Sequence, residues 1–474
     1  MTAMPPIHHA TCRRAMGSRH PRRAGWRISR AISRGTGTPP APDAWSYDLR
    51  GIARLLRAAS LALGLALGTA PAAEPGHWPN WRGPHGSGRA PAGVYPANFD
   101  AANLRWRVAL PGKGCSTPIV WDRRIYLTAP VDGQDALLAY DWDGKPLWQA
   151  KLGSESTGKH RNGSGSNPSP VTDGTGIFVN YKSGRFAAVN LDGTVRWQVN
   201  LTERFGPVDL FWDYGTSPVL TEKQVVIARM HAGDSWIAAF DRATGELRWK
   251  TARNYTVPRE IDQGYTTPLI IRHEGRESLL TWGAEHLTLH DAASGGLVWS
   301  CGGFNPTAAS LWPAVASPVV AGEFAVVCFG RADRGMPRLH GIRLGGKGDV
   351  TATHRAWVRE DTGAFVPTPA EAGGKVYVLS DRGQLDCLEP ATGQTVWSET
   401  LPRTKSNFYA SPLIAGGVLY AVREDGSALT ARVEGGFRLL AEHKFDDRII
   451  ASIVPAGNRL FVRGEKNLYC YAAP

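Results

Sequence analysis

Two short signatures recur along most of the chain, and they restrict its fold more than any other feature. The first is "IAAFDRATGELRWK", which contains Asp241, Gly245 and Trp249. Related stretches carry Trp148 ("LLAYDWDGKPLWQA"), Trp197 ("AAVNLDGTVRWQV"), Trp299 ("LTLHDAASGGLVWS"), and Gly393 with Trp397 ("DCLEPATGQTVWSE"). Weaker copies are "HGIRLGGKGDVTATHRAWV", with Trp357 and an insertion, and "LTARVEGGFRLLAE", where Leu replaces Trp. The second signature is Ser/Thr-Pro before an apolar run, as in "TSPVLTEKQVVI". Its prolines are Pro118, Pro170, Pro218, Pro268, Pro318, Pro369 and Pro412. An eighth, degenerate copy, "ASIVPAGNRLFVRGEKNLYCYAAP", lacks a Trp strand of its own. Such a strand stands far upstream, in "NLRWRVAL" with Trp106.

One unit reads as four short strands. Ser/Thr-Pro starts a strand where a missing N–H is tolerated. In "DRATG", Asp closes an Asx-turn and Gly supplies the positive φ that the turn needs. The Trp is a broad apolar body suited to packing one sheet on the next. Repeated units of this kind predict an all-β fold. It is an eight-bladed β-propeller of four-stranded antiparallel blades, the last closed by the N-terminal strand, which removes open edges. The propeller is expected over 103–474, after a lead-in segment at 74–102. In that segment "HWPNWRGP" is expected to pack on the side or base of the ring.

"AAFDRATGELRW" matches A-x-D-x-x-T-G-x-x-x-W, and the chain from Asn103 onward resembles the PQQ-like (pyrrolo-quinoline quinone) repeat of bacterial exported β-propellers. More distantly it resembles BamB-like propellers and quinoprotein alcohol dehydrogenases. The dehydrogenase resemblance implies PQQ and calcium held over the channel by carboxylate and Asn ligands, often beside a disulfide between adjacent cysteines. No adjacent Cys pair occurs here, and no acid spacing marks a calcium site. The BamB resemblance implies protein partners and a lipid anchor, but no lipobox cysteine follows the apolar leader.

Charge is uneven. Of the net +12, residues 1–73 carry +9, so the body carries only +3, which argues against a nucleic-acid partner. "RLLRAASLALGLALGTAPAA" (54–73) has the basic start, apolar run and small residues of a signal peptide, with cleavage expected after Ala72 or Ala73. The run is too short for a stable membrane span. The mature chain is therefore expected to be exported and soluble, periplasmic or secreted. The unusual sequence before it implies either a translation start near Leu49, which we favour, or an extended leader. Beyond Cys12 the cysteines are Cys115, Cys301, Cys328, Cys387 and Cys470. Export would permit one or two disulfides, but scattered spacing pairs none and gives no zinc or haem motif.

Other motifs are weak. His286 and His290 have chelating spacing for a helix, but on a strand they lie ~13 Å apart at ~3.3 Å per residue. "GKHRNGSGSNPSP" lacks the helix of a phosphate loop, and no nucleophile elbow is present. Connection lengths say more. Trp148 to Pro170 spans 22 positions and Trp197 to Pro218 spans 21, against 12 from Trp357 to Pro369. These long connections share the face opposite the D-x-x-T-G turns, where function is expected. On that face Tyr214, Tyr265, Phe365 and Tyr409, with Lys113, Lys159, His160, Arg161, Asp213 and Lys405, form a candidate funnel mouth. It would suit an anionic or planar small molecule, or a protein or peptide partner. The sequence thus predicts a non-catalytic binding or scaffold module of the cell envelope. The alternative is a PQQ-dependent oxidoreductase acting on alcohols or sugars. No catalytic residue, metal site or cofactor site is recognisable.

Overall fold

The computed structural model describes residues 76–473; the leader and signal-peptide expectations lie outside them. Eight antiparallel sheets follow one another around a central channel. Within each, four strands run from the channel outward and are lettered a to d here. In the third blade these are Val219–Leu220, Gln224–Arg229, Trp236–Asp241 and Leu247–Ala252. Strands a of neighbouring blades touch one another, while strands d alternate exposed and half-buried residues on the circumference. Strand Leu104–Ala109 pairs antiparallel with Asn467–Ala472 and completes the eighth blade, as the repeat count requires. Among the described residues, no helix is long and apolar enough to cross a membrane, and Cys115, Cys301, Cys328, Cys387 and Cys470 are free thiols.

The D-x-x-T-G turns and the tryptophans form one device. Five of the seven strand-d tryptophans lie on the c–d turn of the following blade and donate the indole N–H to a carbonyl there. Trp106 reaches Trp142 O at 2.9 Å, Trp148 reaches Leu191 O at 3.1 Å, Trp197 reaches Arg242 O at 3.0 Å, and Trp357 reaches Pro390 O at 2.9 Å. Trp249 reaches Ala292 O at 3.3 Å. The turn glycine is required twice over. Gly245 has φ +74°, and a Cβ on it would stand 2.7 Å from the Trp197 ring. Asp241 Oδ1 meanwhile accepts from the N–H of Ala243 and of Thr244, the expected Asx geometry.

Two seams are built differently. The insertion in blade five adds strand Gly348–Asp349 parallel to the outer edge of blade four. It buries Trp299 completely and leaves its indole N–H without a partner. Trp397 faces the Gly-rich turn of blade seven and packs on Tyr377 and Phe437, each 6.0 Å away between ring centres.

The lead-in segment closes the base of the channel. Trp78 exchanges two backbone bonds with Val120 in blade one, Pro79 O accepts from Thr172 in blade two, and Ser87 O accepts from Glu371 in blade six. Ile414 of blade seven is bridged to Gly88 and Ala90. The chain then passes beneath blades seven and eight, burying Phe99 against Tyr420, Phe445 and Tyr471, before entering its closing strand.

Candidate functional site

The residue before each strand-a proline has a role that proline chemistry does not explain. Thr117 N–H donates to Ser169 Oγ, Ser169 to Ser217, Ser217 to Thr267, and Thr267 to Ser317. The series continues from Ser317 to Thr368, Thr368 to Ser411, Ser411 to Ser452, and Ser452 back to Thr117 Oγ1. Eight bonds of 2.9 to 3.2 Å therefore close a circle around the channel. The degenerate eighth copy has lost proline at the next position but keeps Ser452, so the hydroxyl is what completes the circle.

Above this collar opens a funnel of about 500 Å³. Its floor includes Trp81, and Arg82 fills the channel below, donating to Pro412 O at 2.9 Å and Pro369 O at 3.0 Å. Gly88 lies so close to that guanidinium that no side chain would fit there. The lead-in segment and Arg82 thus lie across the channel beneath the funnel.

Among the sequence-predicted residues, His160, Arg161, Asp213, Tyr265, Phe365 and Tyr409 line the funnel together. The other four do not, and each has a physical reason. Tyr214 is wedged between blades, donating to Ala228 O at 2.9 Å with Arg229 beside its ring. Lys159 turns its ammonium to Leu210 O at 2.9 Å. Lys113 is drawn to Glu465, 3.6 Å away, and to Arg161 O. Lys405 is exposed and lies outside the cavity lining. The collar hydroxyls, Trp212, Arg331 and Asp381 escaped the sequence reading, and Trp81, expected at the side or base of the ring, also lines the funnel. Only the collar had a visible signal, a hydroxyl residue in all eight copies.

The funnel carboxylates are fixed by their own donors. Asp213 accepts from Lys182 Nζ at 2.7 Å and from the N–H of Lys159 and His160. Burial works to raise its pKa, but these donors outweigh it and hold the carboxyl below the ordinary range. Asp333 is forked by Arg331 at 2.6 and 2.8 Å, and that guanidinium stands 4.3 Å over the Phe365 ring. Behind the lining residues Asn407 and Arg161, and outside the lining itself, Glu424 accepts from Arg448 at 2.8 Å and from Asn407 N–H at 3.2 Å, with the exposed Arg161 at 3.4 Å.

Asp381 differs. It accepts from Phe365 N–H at 2.7 Å and Val366 N–H at 3.1 Å, yet burial pushes its carboxyl up to about 7; the Phe365 N–H opposes this and Asp333 adds to it. The folded chain therefore keeps this proton to higher pH than an unfolded Asp near 3.9. Stability should fall as pH rises between about 4 and 7. Asp135, also pushed up to about 7 by burial, acts in the same direction. Urea denaturation at pH 5 and pH 8 checks this. The parent should lose more stability across that interval than D381N, and equal losses would contradict the assignment.

At the rim, Phe211 and Trp212 stay 51 % and 41 % exposed. Their rings sit 4.9 Å apart, and His160 lies 4.3 Å from Trp212. They are held outward by the backbone: Phe211 N–H donates to Gln263 Oε1 at 2.8 Å, and Trp212 N–H to Tyr265 OH at 2.9 Å.

Residues 90–263 and 283–440 match the profile of the PQQ_2 family, described as outer membrane protein assembly factor BamB. The chain belongs to the PQQ_2 family. Solved structures agree on the fold of this PQQ_2 propeller. BamB from Moraxella catarrhalis is 14% identical with a TM-score of 0.58, over 78% of this chain and 99% of that one. A quinohemoprotein alcohol dehydrogenase from Comamonas testosteroni is also 14% identical, with a TM-score of 0.62 over 85% and 81%. The computationally designed Ika8 protein gives 12% and 0.54, over 77% and 98%. A search of curated proteins gives no match. The same propeller thus occurs in an assembly factor, an enzyme and a design, so fold alone does not assign an activity.

The quinone and calcium implied by the dehydrogenase resemblance are tested by the residues themselves. Among the described residues no group of three His, Cys, Asp or Glu side chains is placed to hold a metal ion. The funnel carboxylates are engaged as above, and Cys115 is the one described thiol lining the funnel. It donates to Asn162 O at 3.1 Å, and burial pushes it up to about 11. This PQQ_2 funnel does not fit a calcium–quinone centre. His286 and His290 are no metal pair either: His286 stacks on Tyr255 at 3.7 Å, and His290 is buried against Gly295 O.

Proposed function

We propose that this protein is an exported, non-catalytic propeller that serves as a binding or scaffold module in the cell envelope, with the funnel and its rim as the working face. The observation that carries this reading is the Phe211–Trp212 pair. Two large aromatics are held in solvent by bonds from their own backbone, beside an open cavity, and exposed aromatic anchors of this kind suit a protein surface. Asp213 and Asp333 are each taken up by a cationic side chain, which supports binding over catalysis.

Two measurements test it. The double variant F211S/W212S should keep its thermal midpoint and lose retention of envelope proteins that co-purify with the parent. Titration with PQQ and calcium should leave that midpoint unchanged. A saturable quinone absorbance shift with dye-linked alcohol oxidation would replace this reading with the oxidoreductase one.

A further inference from the structure

We propose that the throat of the funnel is an anion site that receives the carboxylate of a slender ligand. This deepens the reading above and rests on the funnel being the binding face. Two independent observations carry it.

The first is the collar. A Ser or Thr hydroxyl has one donor and two acceptor positions. Each of the eight accepts a backbone N–H, and among the described residues none donates its own proton to a protein acceptor. Six of them, including Thr117, Thr267 and Ser452, line the cavity. The narrowest part of the funnel is therefore rich in uncommitted O–H donors.

The second is Arg82. It is 3 % exposed, and among the described residues its Nε has no partner and no carboxylate pairs with it. Its two bonds go to the carbonyls of Pro369 and Pro412, the residues directly after collar members Thr368 and Ser411. Burial lowers its pKa only to about 9, so it stays charged at neutral pH. A buried guanidinium without a counter-ion, directly beneath a ring of donors, favours one negative charge at the collar. The carboxylates that line the funnel, Asp213, Asp333 and Asp381, already have donors of their own. The aromatic walls, Tyr265, Phe365 and Tyr409, favour a flat or narrow body behind the charged head.

One guanidinium matches a monoanion, and a carboxylate can come from a small acid or from the C-terminus of a polypeptide. Calorimetric titration of the full chain at low salt uses benzoate against benzamide, and the peptide Ala-Ala-Ala-Phe as free acid against its amide. The acids should bind one to one and about tenfold more tightly than the amides. R82Q should abolish that preference, and T267V, which leaves the Arg82 charge in place but removes one collar hydroxyl and the bond it accepts from Ser217 N–H, should weaken it. Circular dichroism and thermal midpoints check that both variants fold. Benzoate binding as tightly as the peptide acid supports a small-molecule source; a much tighter peptide acid supports a chain terminus. Equal binding of acids and amides, or no binding of either acid, overturns the proposal. If the acids fail while F211S/W212S still loses its co-purifying proteins, the throat site falls and the binding face stands.

Discussion

Replacing Trp197 with alanine is expected to destabilise the propeller by about 3–5 kcal/mol. The ring is 9 % exposed, packs 5.3 Å from Phe186, and bonds Arg242 O across the seam to the third blade. Its removal leaves a cavity between blades two and three and strips the contact that glycine at 245 exists to admit. Trp397 is the natural comparison. It belongs to the same repeat position, yet it is half-buried, and a Cβ on Gly435 or Gly436 of the following turn would meet no atom within 4 Å, the Trp397 ring included. W397A should therefore cost clearly less, about 1–2 kcal/mol. Guanidinium denaturation followed by fluorescence compares the two. Equal costs would mean that the tryptophans stabilise through burial within their own blade and that the turn seal is incidental.

Replacing Asp213 with alanine should cost about 3 kcal/mol at pH 7, because the Lys182 ammonium and two backbone N–H groups lose their acceptor in a buried site. The loop bearing His160 and Arg161 should loosen with it, since Asp213 is what ties that loop to the next connection. The pH dependence follows from the sign of the shift. The folded carboxyl titrates below its unfolded value near 3.9, so its contribution is complete above that value and is lost as pH falls through the lower, folded pKa. The difference between parent and D213A should thus shrink on acidification from pH 7 to pH 3. Faster hydrogen exchange confined to residues 158–167 would accompany it. A pH-independent difference would place the effect on packing instead of charge.

The blade count, the closing strand and the face carrying the long connections were legible in the sequence, because a repeat samples one local rule many times. Asp241, Gly245 and Trp249 could be read together since each copy restates the turn and its seal. The funnel was only partly legible. Tyr265, Phe365 and Tyr409 sit just before strand a, and that register sends them into the channel. Tyr214, in nearly the same position, turns outward because Ala228 O and Arg229 offer its hydroxyl and ring a buried place between blades. Lys159 and Lys113 were misplaced for a related reason: a long flexible side chain goes to the nearest acceptor, and sequence order does not reveal which that is. The segment bearing Trp81 and Arg82 was expected at the side or base of the ring, but the seat of the Arg82 guanidinium was unreadable, since its bonds run to residues 287 and 330 positions away. The collar could have been found from its hydroxyl in every copy, had proline not supplied a sufficient reason for the motif.

The central claim is that the funnel face, opposite the short turns, is where this protein binds. Hydrogen exchange of the purified protein, alone and with an envelope protein that co-purifies with it, as the proposed function expects, tests it directly. Protection should gather on residues 158–167, 206–216 and 302–315, leaving the c–d turns at Asp141, Asp241 and Asp291 unchanged. Protection of those turns, with the funnel connections exchanging as in the free protein, would contradict the account.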